Sequence, residues 1–154
     1  MKWAMRIKMI WAVVGILAGL TASPTFYHGY QNYAAASLAI FSSVCAAYLF
    51  YTHLAYHKQW FVNWSTTRVR VAVVLNALIC VFAFIGMVVC LTVAGIRRQG
   101  ILDKGNNLWI AAVWCWMTWK WSMMSAIYTR RYAQNVMHPL IVHSDATQTF
   151  DKRP

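Results

Sequence analysis

Two places in this chain carry residues that could do chemistry within an apolar setting. His53 lies in one long apolar run, and Tyr128-Thr129-Arg130-Arg131-Tyr132 closes another. An imidazole inside an apolar helix is costly and usually has a partner or a purpose. It is a good ligand for iron, and tyrosinate is another. The plain alternative is a histidine hydrogen-bonded to a neighbouring helix. An arginine can grip a carboxylate with two hydrogen bonds. Lys120 sits deep in the run before the cluster, eleven residues from Arg131. Eleven residues are close to three turns, so the two share a helical stripe roughly 16 Å apart along the axis. Trp114, Met117, Trp121, Met124 and Tyr128 recur at spacings of three and four and form a second stripe. Together these groups suit a flat, greasy molecule with acidic substituents. The competing reading makes the aromatics lipid-facing or core, lets Lys120 snorkel and leaves the arginines as topology signals.

The remaining ionisable residues offer less. His57 reads as interfacial. His28, among tyrosines in a short loop, is either an exposed loop residue or an outer capture ligand. His138 and His143 fall in the C-terminal tail. His53 and His57 stand at i, i+4, a spacing that could clip zinc, but no acidic partner lies nearby. Cys45, Cys80, Cys90 and Cys115 all fall inside apolar runs without a CxxC pair, which fits buried thiols acting as small hydrophobes better than disulfides or a metal site. Asp103, Asp145 and Asp151 are the only carboxylates, and all lie outside the apolar runs. With no triad, no phosphate-binding glycine loop and no paired carboxylates, the chain is not expected to be an enzyme.

Composition says where these residues must sit. Of 154 residues, 60% are hydrophobic, and 14 Lys/Arg face three Asp, for a formal charge of +11. A soluble domain of this size carries far more charge, and the apolar runs reach membrane-spanning length. The expected fold is an all-α membrane protein with four transmembrane helices, at about 7–23, 34–57, 71–96 and 107–129. Residues 1–132 form the membrane domain and 133–154 a polar, irregular, mobile cytosolic tail. The first run could be a secretory signal, but Pro24 after the small residues makes a poor cleavage site, so a retained helix is expected. The positive-inside rule orients the chain with both termini cytosolic. The inner flanks then hold Lys2, Arg6, Lys8, Lys58, Arg68, Arg70, Arg130, Arg131, Lys152 and Arg153, against Arg97, Arg98 and Lys104 outside. The charge favours anionic partners, inner-leaflet lipid by default and an acidic cargo more sharply. Nucleic acid is not expected, because no basic face exists away from the membrane flanks.

These residues resemble the HRG (haem-responsive) haem transporters, small four-helix carriers of animals. The resemblance covers most of the chain from the second helix onward. It is carried by Thr52-His53, Val62-Asn63-Trp64, Ala94-Gly95-Ile96 with Gln99-Gly100, Asn107-Leu108-Trp109 and Trp119-Lys120-Trp121. Above all, Tyr128-Thr129-Arg130-Arg131-Tyr132 matches the family's aromatic-x-basic-basic-Tyr motif. The resemblance implies movement of haem toward the cytosol, from outside at the plasma membrane or from the endosome-lysosome lumen. It implies that His53 occupies the second-helix position linked to haem transfer, and that 128–132 handles haem at the cytosolic exit. One departure stands out. Where the family's second outer loop carries a histidine, this chain has Arg98. Arg98 could pair with a propionate instead, or His28 could replace it as the outer iron ligand.

The residues and the resemblance therefore converge on a haem transporter, with haem as substrate, membrane lipid around it and His53 as iron ligand. Lys120, Arg130 and Arg131 are the cations for its propionates, beside Tyr128 and Tyr132. No nucleotide site exists, so transport would be gradient-driven or proton-coupled through His53. The rival from another class is a non-transporting tetraspan adaptor. A four-helix bundle is narrow for haem, which leaves a homo-oligomer as an alternative to a monomer.

Overall fold

The computed structural model describes the backbone of residues 3–100 and 104–151, with side chains as far as residue 136. The chain forms four long helices: α1 (Trp3–Pro24), α2 (Tyr33–His57), α3 (Thr66–Ile96) and α4 (Leu108–Asp151). Among the described residues there is no strand.

Local chemistry sets the helix ends. A π-helical turn, Thr25–Gly29, follows α1 directly. The side-chain oxygen of Asn32 then accepts from the Ala35 N–H at 2.9 Å, an N-cap that starts α2. The Asn32 amide also donates to the Asn107 carbonyl at 2.9 Å and so ties the start of α2 to the start of α4. At the other end, Gln59 takes a left-handed conformation (φ 58°) before a short 3₁₀ turn, Trp60–Asn63. Ser65 caps α3, accepting from the Arg68 N–H at 3.2 Å. This cap starts α3 five residues before the expected position 71, because polar residues such as Arg68 and Arg70 fit a helix as well as a loop once Ser65 closes it. In the loop before α4, Gly105 has φ +99°, which suits glycine alone. Its N–H donates to the Tyr30 carbonyl at 2.8 Å, joining the two loops at that end of the bundle.

The helices pack in the order α1, α2, α4, α3. Among the described residues, the backbones of α1 and α4 do not approach each other, nor do those of α2 and α3. Small residues let the packed pairs come close, as in other membrane bundles. A methyl added at Gly19 would overlap Ser43 and the Ala39 carbonyl. Ser43 meanwhile donates to the Ile16 carbonyl at 3.0 Å. One at Gly15 would overlap the Trp121 ring, so that ring reaches across from α4 to fill a notch in α1. Trp121 is 1% exposed and packs with Ala12, Cys45, Ala46 and Leu49. Trp114 packs with Ala35 and Ala39. The tryptophan stripe of α4 is thus core rather than lipid surface. All four cysteines are free thiols.

Three of the helices are long and apolar enough to cross a membrane: the first with its π turn (Trp3–Gly29), α2 and α3. The fourth, expected as a span over 107–129, does not meet that standard. Five tryptophans from Trp109 to Trp121 and the charge of Lys120 lower its mean hydropathy, and its polar interior lowers it further. Thr118, Ser122, Ser125 and Thr129 form a stripe at spacings of four, three and four, and all are at most 2% exposed. Thr118 donates to the Trp114 carbonyl at 2.9 Å and Ser122 to the Thr118 carbonyl at 2.8 Å. A helix packed on both sides can carry such polar residues inside the protein and needs fewer aliphatic ones. α3 is the opposite case, with only Asn76, Ala83 and Ala94 buried. The α4 helix also continues to Asp151, where the tail after 132 was expected to be irregular.

Candidate functional site

His53 sits in the last two turns of α2 and is 1% exposed. Two helical residues on α4 close over it. Tyr132, 79 positions away in sequence, lies with its hydroxyl 2.9 Å from His53 Nδ1. Tyr128, one helical turn earlier on the same face, meets the imidazole edge-on with ring centres 4.8 Å apart. Tyr56, three residues after His53, stacks on Tyr132 at 3.9 Å and 12°. Phe61 of the 3₁₀ turn and Trp64 complete the wall. The result is an aromatic box at the basic end of the bundle with an imidazole inside it.

The other ring nitrogen, His53 Nε2, is buried and has no hydrogen-bond partner among the described residues. An unmet buried polar atom costs about 1–3 kcal/mol. The Tyr132 hydroxyl controls which form that nitrogen takes. Besides His53 it lies 4.0 Å from the sulfur of Met5. A hydroxyl has one proton to give. Donated to Met5, that proton leaves the oxygen to accept from Nδ1–H, and Nε2 keeps a lone pair. Donated to Nδ1, it places the imidazole proton on Nε2.

Cations line the box from a direction not expected. Lys8 of α1 places its ammonium over the Tyr128 ring, 4.5 Å from the centre. In the sequence Lys8 is one flanking charge among ten. Its place on Tyr128 depends on the α1–α4 pairing, which no spacing announces. Arg130 and Arg131 are both exposed, just outside the box. Lys120 is elsewhere. Its ammonium lies 4.7 Å from the Trp121 ring, 4.9 Å from Trp11 of α1 and 5.9 Å from Trp116. Three aromatic faces therefore hold this half-buried cation, each contact being worth about 0.5–2 kcal/mol.

α1 and α4 meet through side chains rather than close backbones: Met5 with Tyr132, Lys8 with Tyr128, Trp11 with Lys120, and Trp121 against Ala12 and Gly15. His28 and Arg98 lie at the opposite end of the bundle. Both are exposed, and His28 touches Tyr27 edge-on at 5.0 Å. Arg98 has φ 50°, and its N–H donates to the Gly95 carbonyl at 3.1 Å, a left-handed end to α3. The structure therefore joins His53, Tyr128 and Tyr132, leaves Arg130 and Arg131 beside them, and keeps Lys120, His28 and Arg98 apart. Among the described residues no group of three His, Cys, Asp or Glu could hold a metal ion.

Known proteins are similar to this chain across most of its length. Heme transporter hrg-1 of Caenorhabditis elegans is 43% identical over 136 residues, covering 84% of this chain and 70% of that protein. Heme transporter hrg-4 of the same worm is 25% identical, over 85% of this chain and 82% of its own length. Heme transporter hrg-6 is 23% identical, over 90% and 93%. No solved structure matches. The family model described as "Haem-transporter, endosomal/lysosomal, haem-responsive gene" matches residues 69–121, so with the long match to hrg-1 this chain belongs to the haem-responsive-gene family of haem transporters.

Proposed function

We propose that this protein carries haem across a membrane toward the cytosol, with both termini cytosolic and α4 as the fourth span. The observation that carries the reading is the buried, unpartnered Nε2 of His53 inside a box of tyrosines. That box includes both ends of the motif 128–132 on which the family resemblance rests. Among the described residues, seven basic side chains (Arg6, Lys8, Lys58, Arg68, Arg70, Arg130 and Arg131) lie at the same end as the box, against three (Arg97, Arg98 and Lys104) at the other, and this supports a cytosolic placement. Haem is then the substrate, not a resident group.

In this reading the conformation described is closed, because His53 is 1% exposed and a porphyrin cannot reach it. The seam between α1 and α4 is the place to open. Its backbones do not touch, so parting them breaks the side-chain contacts that Met5, Lys8, Trp11 and Trp121 make across it. Withdrawal of Met5 and Lys8 would uncover Tyr132, Tyr128 and the imidazole behind them. His53 would ligate iron, the tyrosines would stack on the macrocycle, and Arg130 and Arg131 would take the propionates on the way out.

The test is haem-dependent growth of a haem-auxotrophic cell expressing this chain. Wild type should rescue growth at low external haem. His53→Ala, at matched amounts in the membrane, should not. Equal rescue by the two would remove His53 from the transport path.

A further inference from the structure

The seam holding His53 is not the one gap in the bundle. α2 and α3 diverge, and a groove of about 370 Å3 opens between them at the basic end. This volume falls within the roughly 300–1,000 Å3 of small-molecule sites. Tyr48 and Tyr51 line it from α2, and Trp64, Arg68, Ala72 and Asn76 from the α3 side. A second apolar cavity of about 340 Å3 continues it toward the other end, and Phe41 and Ile79 line both.

The groove has a polarity that a lipid slot would not need. Tyr51 and Trp64 lie nearly parallel, at 25°, with ring centres 6.2 Å apart. The Arg68 guanidinium sits 4.8 Å from the Trp64 ring, which fixes it at the basic mouth. Arg68 is exposed, and neither α2 nor α3 contains a carboxylate to neutralise it. So flat aromatic walls end in a fork-shaped cation. The geometry points to a porphyrin subsite in the α2/α3 groove, in which Tyr48 and Tyr51 hold the macrocycle and Arg68, braced on the Trp64 ring, pairs with a propionate. The assignment rests on the haem-transport reading for its ligand, but not on His53. Tyr51 and His53 are two residues apart, about 200° around the helix axis, and point to opposite sides of α2. The subsite therefore recognises plane and charge and needs no iron.

That difference gives the test. The purified full chain in lipid nanodiscs is titrated with metal-free protoporphyrin IX and with its dimethyl ester, using empty discs as background. Wild type should bind the diacid more tightly, and Arg68→Gln should remove about tenfold of that preference, the value of one charge-assisted contact. Arg68→Lys should keep part of it, having charge without the fork. Ala72→Phe, which fills the groove, should weaken both probes. Arg68 is exposed, so its variants remain informative should Ala72→Phe fail to fold.

Equal binding of diacid and diester by wild type would overturn the subsite, as would an unchanged preference in Arg68→Gln. An Arg68-dependent preference for phosphatidylserine over phosphatidylcholine discs, with no preference between the porphyrins, would make it a lipid site and also overturn it. The transport reading fails separately. A chain that shows the porphyrin preference but never rescues a haem auxotroph keeps the subsite and loses that reading; rescue without the preference does the reverse.

Discussion

The hydrogen bond between His53 and Tyr132 can be broken almost alone. Tyr132→Phe removes one hydroxyl and keeps the ring that stacks on Tyr56 at 3.9 Å. His53 Nδ1, 2.9 Å from that hydroxyl, then loses its partner, and Nε2 already has none among the described residues. One more unmet buried polar atom should cost about 1–3 kcal/mol. In a chain of 154 residues that lowers Tm by roughly 2–4 °C per kcal/mol. Haem affinity reports the chemistry more directly. If Tyr132 holds the imidazole so that Nε2 faces iron, its loss should act as other losses of a ligand's hydrogen-bond partner do, about 10–100-fold in affinity. The assay is a hemin titration followed at the Soret band for wild type, His53→Ala, Tyr132→Phe and the double variant. Tyr132 acting through His53 predicts that Tyr132→Phe costs nothing further once His53 is gone. Equal costs in both backgrounds would mean that Tyr132 touches haem by itself, and the positioning role would be refuted.

Three further outcomes follow from the same geometry. Lys120→Met keeps the stem and removes the charge held by Trp11, Trp116 and Trp121, so thermal stability should fall by about 0.5–2 kcal/mol; haem uptake per folded molecule should hold, and a selective uptake defect would return Lys120 to the haem path. Replacing Arg130 and Arg131 together by Gln should lower transport, whereas replacing both by Lys should preserve orientation and leave a partial defect; transport equal to wild type in the Lys pair would reduce them to topology signals. Asn63-Trp64-Ser65 is a glycosylation sequon whose exposed Asn63 ends the 3₁₀ turn, yet a cytosolic placement keeps it bare, so a glycan found there by mass spectrometry would invert the proposed orientation.

Much of this arrangement was legible in residue types, and the failures have a common origin. His53 could be placed near Tyr128 by counting back from basic helix ends, because depth in a membrane is a one-dimensional quantity set by rise per residue. Its partner could not be named. Whether Tyr132 or another residue reaches the imidazole depends on how α4 is turned toward α2, and small residues such as Ala46 and Ser125 permit many rotations. Lys120 was recognisable as a cation inside an apolar run, but Trp11, which shares it, lies on α1, over a hundred positions away. The sequence marks α4 as an apolar run with Lys120 inside it, and the burial of its serine-threonine stripe makes sense only once both flanking helices are known. The α2/α3 groove left no mark at all, since it arises where two helices fail to meet.

The two gaps in the bundle lie on opposite sides of α2, and this bears on how a carrier could release what it binds. Tyr48 and Tyr51 face the α3 side, while His53 faces α4 and the seam with α1. A rigid porphyrin cannot lie against Tyr51 and receive His53 on its iron at once, because the two side chains diverge by about 200° around one helix. Contacts on the two sides would have to be used in turn or by different haem molecules. Either way no single position combines the imidazole of His53 with the Tyr51 wall and the Arg68 cation of the groove. A site holding all three would bind haem tightly and let go slowly, since affinity differences are expressed mainly in the rate of leaving. Dividing them between two faces keeps each step weak, and weak steps are what passage through a membrane requires.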